Sequence, residues 1–342
     1  MGRRSVAILG LVLGVSALAP ASARGDGLPI GSVDAGGSGV TTPESPSRYV
    51  TVPAASSTVL ARVRRDGGQV LESRVLRGTF TIPAVALDGS ASGLSADGRT
   101  LVLIRPRPAF PRARTAFAVL DARLLRVRRI LRLDGDFSFD ALSPDGRTMF
   151  LIQYTSRRDP TRYAVRAYDL RAGRLLPGAI VDRREPDERM RGYPITRASS
   201  PDGRWEYTLY DGAESHPFVH ALDTAEREAF CIDLDALTGH KDLFRLTLAL
   251  GGGGRELIVR DRTRPLAIVD RTTFEVREPA DAPRRAAAPA PEAAADGAPW
   301  TLVATATAAL LLAAAAALVA RRRRRAAPAP VDEEVREGQL LH

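Results

Sequence analysis

One cysteine, Cys231, and four histidines, His216, His220, His240 and His342, are the side chains of this 342-residue chain best suited to nucleophilic or metal chemistry. A single cysteine allows no intramolecular disulfide, and Ala229-Phe230-Cys231-Ile232 is an apolar strand-like stretch that suits a buried thiol. A catalytic cysteine would also need a positioned histidine. His216 and His220, with Asp211 and Glu214 beside them, are residue types that zinc uses. Pro217 separates the two histidines and 218–222 reads as a strand, so the one-turn spacing of a helical metal pair is not available. Along a strand the two rings would share a face but stand far apart. Asp88, Asp136, Asp140 and Arg197 lie where a polar central site would draw its groups, yet they repeat in no catalytic arrangement. No phosphate loop, nucleophile elbow or paired metal-ligand motif occurs. No catalytic, cofactor-binding or metal residue is therefore assigned, no cofactor is expected, and the ligand-binding residues stay unassigned.

These groups sit among repeated turns. Ser143-Pro144-Asp145-Gly146-Arg147 combines a φ-fixing proline, an aspartate able to bond the backbone ahead of it, and a glycine for positive φ. The apolar, aromatic and β-branched run 148–154 that follows is of strand length. The pattern returns at Ser95-Ala96-Asp97-Gly98-Arg99 and at Ser200-Pro201-Asp202-Gly203-Arg204, and in degraded form at 250–259. Asp97, Asp145, Asp202 and Gly253 are spaced by 48, 57 and 51 residues. A second mark keeps the register, because a later strand in each unit ends in aspartate, at Asp121, Asp169, Asp223 and Asp270. An aspartate that recurs at every hairpin belongs to the turn rather than to a site. Counting the strand before each turn, a unit holds four strands in about 50 residues, the period of a propeller blade.

The Ser-Pro-Asp-Gly-Arg turn, the apolar strand after it and the strand closed by aspartate resemble the WD40-like and YVTN-type (TolB-like) propeller repeats of bacterial proteins. The resemblance covers roughly residues 48–278 and implies an all-β fold, a β-propeller of about five four-stranded blades. Strands at 49–52, 58–63 and 70–75 read as the later strands of a first blade, with one strand short at each end of the ring. Pairing the two end pieces would close the circle and remove exposed edges.

The ends speak to location. Residues 1–23 carry Arg3 and Arg4, an apolar run from Val6 to Leu18 and then Ala21-Ser22-Ala23, the layout of a signal peptide cut after Ala23. Residues 24–47 are Gly, Ser, Pro and Thr with almost no large apolar side chain, a flexible linker. Residues 279–299 form an Ala/Pro-rich stalk. Residues 300–320 are uncharged and of bilayer-spanning length, and Arg321 to Arg325 follow at once, so a transmembrane helix with a cytoplasmic tail at 321–342 is expected. The chain reads as a single-pass membrane protein with its propeller outside the cytoplasm.

The formal charge of +9 would suit a polyanion partner, but Arg3, Arg4, the arginine run and a tail netting −3 account for nearly half of it. The rest is spread over many turns, Lys241 is the lone lysine, and the basic stretch 126–132 reads as a solvated strand. Nucleic acid is not an expected partner. The expected function is that of a membrane-anchored binding or scaffold module for a protein or glycan outside the cell. The alternative is a propeller enzyme, a lactonase-like hydrolase or lyase, with its site in the central channel.

Overall fold

A computed structural model describes residues 39–279, apart from Gly67, Glu188, Glu214 and Ser215. The expected signal peptide, the stalk beyond its first residue, the transmembrane helix and the tail lie outside the described residues. Among those described, no helix is long and apolar enough to cross a membrane.

Alternation and hairpin turns produce five antiparallel sheets. The first is β1 (Ser47–Ala54), β2 (Ser57–Arg64) and β3 (Val70–Arg77). The second is β4 (Thr100–Ile104), β5 (Arg114–Asp121) and β6 (Arg126–Asp134). The third runs β7 (Phe137–Leu142), β8 (Thr148–Tyr154), β9 (Tyr163–Asp169) and β10 (Arg174–Leu175). The fourth is β11 (Pro194–Ser199), β12 (Trp205–Tyr210), β13 (Phe218–Asp223) and β14 (Glu228–Asp233). The fifth is β15 (Leu246–Gly251), β16 (Glu256–Asp261), β17 (Arg264–Asp270) and β18 (Val276–Arg277). Each sheet shares a core with the next: Leu60 and Leu101 bind the first to the second, Phe117 and Phe139 the second to the third. Phe150 and Leu222 join the third to the fourth, and Leu209 and Leu257 the fourth to the fifth. Burying one such side chain contributes roughly 1.5–3 kcal/mol, and with a single cysteine no disulfide adds to that packing.

The turn chemistry is as the sequence requires. Gly98, Gly146 and Gly203 have φ of 64°, 65° and 70°. Asp97, Asp145 and Asp202 each accept a hydrogen bond from the backbone N–H two residues on, at 3.0–3.1 Å. The serine two residues before each aspartate donates to that carboxylate and accepts from the N–H that opens the next strand, so every turn is closed twice. Asp121, Asp169, Asp223 and Asp270 likewise accept from backbone N–H groups two or three residues ahead.

Two expectations are corrected. The sheets have three or four strands, not four throughout. Ahead of β4 the chain makes only isolated bridges, Thr81 to Ile104, Ala84 to Ala91 and Leu94 to Leu101, because Pro83 lacks an N–H and Gly89 and Gly93 sit at positive φ. The N–H groups of Leu87 and Asp88 instead donate to the carbonyls of Pro194 and Ile195 on β11. The ends are also not paired with one another. The fifth sheet completes itself with β18, while Val40 exchanges both backbone hydrogen bonds with Tyr49 on β1. One face of the first sheet stays open: Val52 and Val75, which flank Val59 across the ladder, are 52% and 70% exposed.

Candidate functional site

Two buried ion clusters stand at the strands that open the third and fourth sheets. Asp136, ahead of β7, accepts from Arg107 Nη2 at 2.7 Å and from the Arg112 backbone N–H at 2.9 Å, and Arg107 lies over the Tyr154 ring at 4.9 Å. All three members of this ion cluster have side chains buried to within a tenth of their surface. A second cluster joins the third and fourth sheets. Arg197 on β11 donates to the carbonyl of Asp140 at 2.6 Å and to its carboxylate, and to Thr208 Oγ1 at 2.9 Å. Glu206 stands 3.7 Å from the same guanidinium and accepts from Ser199. Burial pushes the Glu206 carboxyl up to about 7. The free space between Asp140, Tyr154, Tyr193 and Tyr210 is only about 20 Å³, room for about one water molecule.

Arg197 begins a polar row that crosses the whole fourth sheet. Antiparallel pairing sets Arg197 opposite Thr208, Thr208 opposite His220, and His220 opposite Cys231. The row faces the third sheet, between an apolar patch of Phe150, Leu222 and Ala229 and another of Val165, Tyr163 and Phe218. His220 is 2% exposed and its Nε2 has no hydrogen-bond partner among the described residues. Burial pushes its imidazole down to about 4, so the ring is neutral.

At its outer end the row opens into a cavity of about 630 Å³ between the third and fourth sheets. His220, Cys231, Val165 and Tyr163 line its inner wall, and Thr155, Arg162, Ala179, Asp182, Arg189 and Arg191 line much of the remainder. Asp182 holds the edge of β14: its Oδ2 accepts from the Cys231 N–H at 2.9 Å and pairs with Arg184 at 2.6 Å. The Arg184 guanidinium also donates to the Cys231 carbonyl at 3.0 Å.

The residues singled out from the sequence thus separate in space. Asp136, Asp140 and Arg197 come together as buried ion pairs, whereas Asp88 closes a local exposed turn through Ser90 N–H. His216 lies 2.8 Å from Asp233, and Asp211 accepts from the Tyr193 and Ala213 N–H groups, so neither shares a site with His220. Among the described residues, no three His, Cys, Asp or Glu side chains form a cluster able to hold a metal ion. The basic stretch 126–132 lies on β6, at the outer edge of its sheet, with Arg128 paired to Asp121. The opposition of His220 and Cys231 has a sequence signal. With Asp223 and Glu228 as the closing pair around a four-residue loop, the residue three before the one faces the residue three after the other.

No protein-family model matches the chain and no curated protein is similar to it. Solved structures are similar in fold. TolB from Acinetobacter baumannii has 15% identity over 68% of this chain and 56% of that one, with a TM-score of 0.34. The Cps50 (Swd1) β-propeller domain from Myceliophteria thermophila has 11% identity over 65% and 60%, with a TM-score of 0.37. An oligogalacturonate lyase in complex with manganese has 12% identity over 70% and 63%, with a TM-score of 0.43. The chain spans well short of the full length of each. The likeness is to TolB-like and WD40 β-propellers and is one of fold alone, the chain's own five sheets carrying the assignment.

Proposed function

We propose that this chain is a membrane-anchored, extracytoplasmic β-propeller that binds a protein or glycan outside the cell, and that the cavity between its third and fourth sheets receives the ligand. One observation carries the proposal: the cavity lined by His220 and Cys231 holds about 630 Å³, whereas the space among Asp140, Tyr154, Tyr193 and Tyr210 holds only about 20 Å³. The larger volume is that of sites for drug-sized molecules, enough for a short segment of protein or glycan. Its wall mixes aromatic and aliphatic surface with arginine and aspartate, the composition that orients a ligand through a few polar contacts. The alternative, an enzyme with a central site, finds its acids already committed, since Asp136 and Asp140 are both buried in arginine pairs. The anchor and the outside location rest on residues 1–23 and 300–325.

Full-length tagged protein and its Ala179→Trp variant, which adds bulk at an exposed residue of the cavity wall, serve as baits in detergent-solubilised membranes. A specific partner held by the wild type and lost by an equally stable variant is the expected result. Turnover of a lactone panel by the wild type, with no partner retained, would favour the enzyme.

A further inference from the structure

A chain with one cysteine forms no internal disulfide, and in an oxidising compartment such a thiol either pairs with another molecule or stays reactive. The structure puts Cys231 where the first outcome has a defined route. Its backbone N–H and C=O both point away from β13, the one to Asp182 and the other to Arg184, so Cys231 and His220 form a non-hydrogen-bonded pair. In such a pair the Cα atoms lie only about 4.5 Å apart and the side chains stand side by side on one face. Cys231 is half-buried and His220 almost wholly buried, and both line the lateral cavity. His220 Nε2, buried and without a hydrogen-bond partner among the described residues, is a polar atom that the fold leaves unanswered and that points to an absent group.

We propose that Cys231 is a site of reversible S-thiolation by low-molecular-weight, carboxylate-bearing disulfides that enter this cavity, with His220 as the base. The inference rests on the reading of the cavity as a ligand site, and the exchange can be measured without knowing any partner. The Sγ–H bond of Cys231 breaks and its proton passes to His220, whose Nε2 makes no hydrogen bond to the sulfur until the disulfide enters. The thiolate attacks one sulfur of the disulfide, a new S–S bond forms to Cys231, and the old one breaks. The departing thiolate takes the proton from His220 and leaves as a thiol. Cys231 is oxidised, the disulfide is reduced, and no further oxidant is required. Burial disfavours a lone imidazolium, so the proton rests on His220 only while a sulfur anion stands beside it. Arg184 at the Cys231 carbonyl and Asp182 at its N–H form an ion pair that fixes the backbone carrying the thiolate. Arg189 and Arg191 line the same cavity, are exposed, and form no ion pair with a described residue, which selects carboxylate-bearing disulfides. A modified Cys231 would occupy the cavity and compete with any partner bound there.

The test uses reduced, full-length protein in detergent with oxidised glutathione, followed by intact mass and peptide mapping. A single glutathionyl adduct on Cys231, removed by dithiothreitol, is expected. The native chain should react several-fold faster than the urea-unfolded chain, a comparison that needs no variant. His220→Gln, with folding checked by its melt, should slow the native reaction about tenfold. Ala179→Trp, at an exposed residue of the cavity wall, should slow it while leaving the unfolded rate unchanged. A native thiol that reacts more slowly than the unfolded one, or a folded His220→Gln protein that reacts as fast as wild type, would overturn the proposal. Loss of the partner in pull-down with this exchange intact would refute the binding role and leave the thiol site standing.

Discussion

Arg197 on β11 grips Asp140 on β7 twice, at the backbone carbonyl and at the carboxylate, and so locks the fourth sheet to the third across 57 residues of chain. Both side chains are at most 5% exposed. A pair this buried is costly to form and more costly to break, because removing one partner strands the other charge away from water.

Asp140→Ala is therefore expected to destabilise the chain by about 3–5 kcal/mol. The double variant Asp140→Leu/Arg197→Met, which removes both charges and keeps apolar volume, should recover most of that loss. Urea unfolding of the full chain in detergent measures both. A loss below about 1 kcal/mol for Asp140→Ala would mean that water reaches the centre, and would revive the case for a central enzyme site.

Glu206 and His220, both buried on the fourth sheet, should pull the stability in opposite directions with pH. The Glu206 carboxyl is raised from 4.5 to about 7, so its contribution is complete below pH 4.5 and is lost as pH rises through 7. The His220 ring is lowered from 6.5 to about 4, so its contribution is complete above pH 6.5 and is lost as pH falls through 4. Each swing is about 3 kcal/mol across its window. Between pH 4.5 and 6.5 the two nearly cancel in the wild type. Glu206→Gln should leave stability rising with pH in that window, and His220→Gln should leave it falling. Melts at half-unit intervals of pH decide, and parallel profiles for the two variants would contradict the assignment.

Gly98 and Gly146 occupy equivalent turns with nearly equal φ, yet they should respond differently to substitution. A Cβ on Gly98 meets nothing within 4 Å, whereas one on Gly146 would sit 2.6 Å from Thr100 Oγ1 and 3.1 Å from Ser95 Cβ of the neighbouring turn. Gly98→Ala should cost about 1 kcal/mol, the strain of a side chain at positive φ. Gly146→Val adds a collision between sheets and should cost on the order of 3 kcal/mol. Equal melting shifts would mean that the two sheets separate at this turn without penalty.

How far the sequence discloses this molecule follows from the range of each interaction. The Asp-Gly turns and the strand-ending aspartates are local, because each carboxylate bonds a backbone only two or three residues away, and they disclose the repeat and its period. The serine that closes each turn from the other side is equally local, at Ser95, Ser143 and Ser200. The centre is not legible in this way. Arg197 and Asp140 are residues of two different repeats, and Arg107 and Arg112 reach Asp136 from an irregular segment between β4 and β5 that carries no repeat signature. The missing inner strand before β4 is disguised by an apolar run whose backbone donors go to another sheet. Cys231 and His220 lie between these extremes: each stands out by its residue type, and only the hairpin register makes them neighbours.

The membrane topology is the remaining proposal, with one crossing, the propeller outside and the tail inside. Three physical facts in the sequence support it. The leading apolar run from Val6 to Leu18 is short and ends in Ala21-Ser22-Ala23, so it can start translocation and then be removed, leaving Arg24 as the first residue of the mature chain. From there to residue 299 the apolar residues come in strand-length bursts, none long enough to halt transfer. Residues 300–320 then supply a span of bilayer length, and moving Arg321 to Arg325 across the hydrocarbon would be strongly disfavoured. Protease added to intact spheroplasts should digest an epitope inserted beside Ser47 and spare one added after His342. Protection of the first with loss of the second would reverse the orientation. Release of the whole protein into the medium after cell-wall digestion would show instead that residues 300–320 do not hold it in the membrane.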